Sequence, residues 1–241
     1  MKFKKKLRTE LLPYYKKILD NFTSNISKED IDHCAVFYTQ WGKDFPTEPH
    51  KGIMFYGRAT NGWGDINNAL EKECLFKEGG ELSNFNSKRQ IKWIEDNDNP
   101  SYNTNRSQML STIKKVSSYF YKDNWFNYVA WSNLYKVAPD DQGNPNGQLC
   151  NLELQECKDI FRKEIELFSP KFVILLTGDS WYKDFLPEPE QKPIKEIDWG
   201  NYTLSVYQSG KTYYLATEHP QGKPYSQLIE KLIEFIKARE R

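Results

Sequence analysis

No stretch of this 241-residue chain approaches the roughly 20 consecutive apolar residues of a membrane-spanning helix, so no such helix is expected. The basic start, Met1 to Arg8, is not followed by the apolar run of a secretory signal, and the expected location is cytoplasmic. An excess of one charge is missing too. Lys and Arg number 34 against 33 Asp and Glu, a formal charge of +1. Whole-body attraction to nucleic acid is thereby excluded, while a local basic face is not. Cysteine is scarce. Cys34, Cys74, Cys150 and Cys157 contain no C-x-x-C pair, so they read as free thiols in a reducing compartment, with no zinc site or cluster. Only 3 histidines occur. There is no H-E-x-x-H, no G-x-S-x-G elbow, no internal repeat and no low-complexity tract.

What is present is a polar surface around an aromatic core. Mean hydropathy is −0.78, hydrophobic residues make up 38% and charged residues 28%. Aromatics reach 15%, and each large ring removes more area from water than Ala or Val, which excludes disorder of the whole chain. The length suits one large domain or at most two small ones.

Helical spacing runs over 6–22, with Pro13 expected to kink or restart the helix. Lys51-Gly-Ile-Met-Phe-Tyr-Gly57 reads as a buried strand and Arg58-Ala-Thr-Asn-Gly-Trp-Gly64 as a glycine-punctuated loop. Residues 65–104 read as a polar insertion with short helices. A helix is expected over 105–121, a strand over 127–133, a loop over 139–150, a helix over 152–168 and a strand over 171–178. A proline-rich connection over 187–195 leads to a hairpin of 202–207 and 212–217 and a last helix over 225–238. This alternation predicts an α/β protein whose largely parallel sheet is covered on both faces. Ligands of such sheets sit beyond the carboxyl ends of the strands, which here are the loops 57–64, 133–140, 178–182 and 218–224.

Those loops hold the residues with chemistry. The glycines of Gly57 to Gly64 let backbone amides approach a ligand, but the P-loop Lys-Ser/Thr is absent. Asn133 closes the second strand, and its amide suits a pyrimidine edge or the capping of a turn. His219, after the last strand, is placed to donate to an oxyanion. Lys136 and Lys223 are candidates to face a phosphate from the same side.

In order along the chain, these segments resemble the uracil-DNA glycosylase superfamily. Gly57-Arg-Ala-Thr-Asn-Gly62 stands where the family has its first loop, G-x-D-P-x-x or G-x-A-P-G. Tyr128-Val-Ala-Trp-Ser-Asn-Leu-Tyr-Lys-Val137 is similar to the strand whose Asn reads the flipped uracil. Val173-Ile-Leu-Leu-Thr-Gly178 looks like the strand ending in a small turn. His219-Pro-Gln-Gly-Lys-Pro224 stands in place of His-Pro-Ser-Pro. The resemblance covers about residues 50–238.

The resemblance implies a three-layer α/β/α sandwich around a central, mostly parallel four-stranded sheet. It would form one domain over 1–241, with an N-terminal helical extension of about 1–48 and an insertion of about 65–104. It implies a monomer that takes DNA or a nucleobase-containing ligand and needs no cofactor and no metal. In the family's roles, Asn133 would read the base and His219 would stabilise the leaving anion. Gly57, Asn61 and Gly62 would line the pocket, Trp63 or Tyr56 would stack on the base, and Lys136, Lys223 and Gly178 would hold phosphate. The chain departs from the family at Ala59, where some members carry the water-activating carboxylate. Asn61 could instead position a water, and Asp65 is the nearest acid. The cysteines do not match the iron–sulfur branches, and Tyr225 is the one ring available as an intruding wedge. Three readings follow: a glycosylase, a base-binding relative with altered or lost chemistry, and an unrelated α/β protein.

Overall fold

The structure, a computed structural model, describes residues 2–46, 48–60, 64–66, 107–140, 143–187 and 191–240. In chain order its elements are α1 (Lys2–Asn25), α2 (Lys28–Asp32), β1 (Cys34–Val36), β2 (Gln40–Trp41), β3 (Ile53–Gly57) and β4 (Gly64–Asp65). Then come α3 (Gln108–Tyr121), β5 (Val129–Asn133), β6 (Val137–Pro139), α4 (Gly147–Phe168), β7 (Phe172–Leu176) and α5 (Asp179–Tyr182). β8 (Lys195–Trp199), β9 (Tyr202–Ser209), β10 (Thr212–Thr217) and α6 (Tyr225–Glu240) complete the chain.

Every residue of β3, β5 and β7 is buried. Strands buried on both faces belong in the parallel middle of a covered sheet. They pair parallel in the order β5-β3-β7, and β10 adds to β7 in the same direction. Tyr213 and Tyr214 are neighbours on β10, so they project to opposite faces. The Tyr214 ring meets Phe161 of α4 at 6.5 Å and the Tyr213 ring meets Phe235 of α6 at 5.7 Å. Helices therefore cover both faces, with α1 packed on α4 and α3 on α6.

The expected count of four strands is corrected to seven, in the order β2-β5-β3-β7-β10-β9-β8. The additions are antiparallel: β2 to β5, β9 to β10 and β8 to β9. β8 carries Lys195, Glu196 and Asp198 on a largely exposed edge, the charge pattern that blocks edge-to-edge pairing and that also hides a strand from pattern reading. A second, three-stranded antiparallel sheet, β4-β1-β6, joins residues near 35, 65 and 138.

The N-terminal region is not simply a helical extension, since it contributes β1 and β2. Its helix α1 does not restart at Pro13. Leu7, Leu11, Tyr15, Ile18 and Phe22 lie fully buried on one stripe, while Pro13 faces outward. Burial of that stripe outweighs the hydrogen bond that proline removes. α4 starts at Gly147, earlier than apolar spacing suggests, because Asn146 Oδ1 caps the Leu149 N–H at 2.9 Å. Nearly all of the insertion read over 65–104 lies outside the described residues. Among the described residues no helix is long and apolar enough to cross a membrane.

Candidate functional site

Because β5, β3, β7 and β10 run parallel, their last residues share one edge of the sheet. Gly57 and Asn133 are partners in register. A Cβ on Gly57 would lie 2.4 Å from Asn133 Oδ1 and 2.9 Å from Met109 Cε of α3. The Asn133 side chain thus lies over the Gly57 main chain, which only glycine permits. Asn133 is buried, and its Oδ1 has no hydrogen-bond partner among the described residues. Two further buried oxygens on this edge, Thr60 Oγ1 and Thr177 Oγ1, share that condition. A buried acceptor without a donor costs about 1–3 kcal/mol, a cost that a donor on a ligand would relieve.

Beyond Gly57 the chain turns toward β7. The Leu134 and Tyr135 N–H groups donate to the carbonyls of Gly57 and Arg58, each at 2.9 Å, which fastens the two loops together. Arg58 Nε donates to the Thr177 carbonyl at 2.5 Å, and the guanidinium lies over the Trp181 ring at 5.4 Å. Gly178 has φ +93°, a conformation that glycine adopts freely. A Cβ there would come within 3.2 Å of Glu218 Oε2 and 3.3 Å of Arg58 Nη2. Arg58 from the β3 side and Glu218 from the β10 side therefore both lie over Gly178 at the end of β7.

His219 follows directly. Its Nδ1 accepts the Gln221 N–H at 3.2 Å, so the proton of a neutral ring sits on Nε2. Burial, then the charges of Arg58 and Lys223, pull its pKa from 6.5 down to about 4. The ring stays neutral at neutral pH and presents one N–H donor. β5 and β10 stand three strand spacings apart, about 14 Å of sheet edge. Gly57, Arg58 and Gly178 form an unbroken line of contacts across that span.

No protein-family model matches this sequence, and no curated protein matches it.

Of the residues singled out from sequence, Gly57, Asn133, His219 and Lys223 lie along this edge. Asn61, Gly62 and Trp63 lie outside the described residues, and so does the side chain of Asp65. Lys223 Nζ lies 5.2 Å from the Tyr202 ring centroid. Tyr225, the candidate wedge, has Lys115 of α3 over its ring at 5.1 Å.

Three assignments are corrected. Tyr56 does not face the loops: its side chain is fully buried, 4.7 Å from the Phe161 ring, and its hydroxyl donates to Glu164 Oε2 at 2.9 Å. Gly178 offers no amide to a phosphate, because its N–H donates to the Thr217 carbonyl at 2.9 Å. Lys136 is 0% exposed and paired with Glu164, so its ammonium meets no phosphate. Among the described residues no group of His, Cys, Asp and Glu is placed to hold a metal ion.

The largest omission from the sequence reading is on α4. Glu153 and Glu164 are both fully buried. Glu153 Oε2 accepts the main-chain N–H groups of Lys136 and Val137, each at 2.9 Å, and the Cys157 thiol at 3.1 Å. Burial pushes the Glu153 carboxyl up to about 8 despite those donors. A signal was available. Positions 153, 157, 160, 161, 164 and 168 form one helical stripe, and the two glutamates interrupt its apolar residues.

Proposed function

We propose that the chain is a uracil-DNA glycosylase-like protein that holds a flipped uracil or related base at this edge and hydrolyses its N-glycosidic bond. One observation carries the reading. A buried amide with an unmet acceptor, and a neutral imidazole whose only N–H is Nε2–H, close the two ends of one line of parallel strand ends.

The chemistry follows from those two groups. Uracil presents an N3–H donor and a carbonyl acceptor along one edge. The Asn133 Oδ1 takes the first and its amide N–H takes the second. Cytosine has no hydrogen on N3, so the same oxygen would face a lone pair and reject it. Glycosidic cleavage puts negative charge on the departing base. The His219 Nε2–H, aimed at a base carbonyl, supplies the preorganised donor for that charge, and the neighbouring Arg58 and Lys223 add positive potential. A base must leave its stack before its glycosidic bond can be reached.

Ala59 favours a second reading. Its methyl group packs against the core, so the position offers nothing to polarise water. In that reading the protein binds the base and does not cleave the bond.

A labelled oligonucleotide with one uracil, single-stranded or opposite guanine, tests the proposal at low salt with alkali to reveal abasic sites. Strand scission is expected. It should fall about a hundred- to a thousandfold in His219→Ala, as for loss of one oxyanion donor, and vanish in Asn133→Ala. Uracil-dependent binding without scission selects the second reading. Absence of both overturns the two together.

A further inference from the structure

The interior under β5 holds a charge pair that stability does not explain. Lys136 and Glu164 are both 0% exposed. Removing two ions from water is costly, and an apolar pair of like volume in such a place is often as stable or more so. What distinguishes this pair is where its hydrogen bonds go. An ammonium has three N–H donors. Those of Lys136 go to Ser132 Oγ at 2.7 Å, the Asn133 carbonyl at 2.6 Å and the Glu164 carboxylate at 3.2 and 3.3 Å. The carboxylate is held in turn. Tyr56 donates to Oε2 at 2.9 Å, Ser132 to Oε1 at 3.1 Å, and Thr39 also to Oε1.

Glu153 adds a second grip about three turns along the same face of α4, on the main chain of Lys136 and Val137. The segment that begins at Asn133 is therefore clamped to α4 by the Lys136 and Val137 amides on Glu153 and, at its other end, by the Lys136 ammonium, which holds the Asn133 carbonyl and the Glu164 carboxylate together. Its side chain emerges on the opposite side, over Gly57.

We propose that Lys136 and Glu164 are positioning residues for Asn133: the buried pair fixes the peptide after Asn133 so that its side-chain amide stays over Gly57. This inference rests on the reading of Asn133 as the group that contacts the base. Neither Lys136 nor Glu164 touches the base. Lys136 acts through the Asn133 carbonyl and Glu164 through Lys136 and Ser132, and the amide is held by rigid packing rather than selected by the ligand.

The test pairs Lys136→Met with Glu164→Leu in the full chain and reads three quantities: thermal unfolding, the Asn133 side-chain amide resonance, and free-uracil affinity by calorimetry. Lys136→Met alone should lower the melting temperature strongly, because it strands a buried carboxylate. The double variant removes the unpaired charge and should recover part of that loss, the remainder reflecting the Tyr56, Ser132 and Thr39 hydroxyls and the Asn133 carbonyl that lose a partner. Its Asn133 amide should still shift or broaden, and uracil affinity should fall about tenfold to a hundredfold, as for displacement of a contact group by about 1 Å. A double variant with an unaltered Asn133 resonance overturns the proposal and leaves the pair a purely structural one. Should the double variant not fold, Tyr56→Phe removes one bond to Glu164 without changing shape. A moved Asn133 resonance then supports the proposal, and an unmoved one overturns it. If the wild-type chain binds no uracil, the base-contacting reading fails, while the resonance comparison still decides the positioning.

Discussion

At the scale of single residues, the account turns on small distances. Gly57→Ala places a methyl group where Asn133 Oδ1 lies, 2.4 Å away. The far end of that side chain must move, so the fold should lose only about 1–3 kcal/mol. Uracil affinity should drop at least about tenfold. Calorimetry and thermal unfolding on one preparation check both, and unchanged affinity would detach Asn133 from the site. Glu153 and His219 make opposite demands on pH. Glu153 holds its proton up to about pH 8, against 4.5 in an unfolded chain. Its stabilisation is complete below pH 4.5 and is lost as the pH rises toward 8. His219 titrates near 4 instead of 6.5, so the unfolded chain takes up that proton first and stability erodes as the pH falls from 6.5. Glu153→Gln should therefore gain stability over wild type steadily between pH 4.5 and 8, by a few kcal/mol in all, with no further gain above. Melting temperatures across that range measure it, and a constant difference would contradict the buried, protonated acid. Burial of Lys136 was not legible in the sequence. A lysine in a loop motif reads as solvated, and the Glu164 that pairs with it lies 28 residues further on, within α4.

At the scale of elements, α1 shows packing overriding a local signal. Pro13 sits inside the helix on its exposed face, where it removes a hydrogen bond and gives no burial in return. Pro13→Ala should raise stability by about 1–2 kcal/mol, the helix-propensity gain less the freedom returned to the unfolded chain. A melting temperature that stays level or falls would show that proline is well seated there. The central strands were legible because β3 and β7 are apolar runs and β5 opens with Val129, Ala130 and Trp131, and both strands of the hairpin carry β-favouring residues. β1, β2, β4 and β6 were not, since each has only two or three residues and draws its pairing from other parts of the chain. β8 escaped notice for a different reason: it follows a proline-rich stretch, and Lys195, Glu196 and Asp198 leave only Ile197 and Trp199 as apolar positions, which an exposed edge permits.

At the scale of the whole molecule, the parallel order β5-β3-β7-β10 gathers residues that lie far apart in the chain onto one edge. Sequence order alone indicated that edge, because each strand ended in a residue with distinctive chemistry. It did not indicate Arg58, which fastens the loop after β3 to the end of β7 and lies over Gly178 beside Glu218. The central claim is that Asn133 and His219 act on one and the same base. Its most direct test is a titration of free uracil into uniformly ¹⁵N-labelled protein, following the Asn133 side-chain amide and the His219 ring nitrogens together. Both sets of signals should move along a single saturation curve, with the His219 shift centred on Nε2. Movement of one without the other, or of neither, would contradict a shared site.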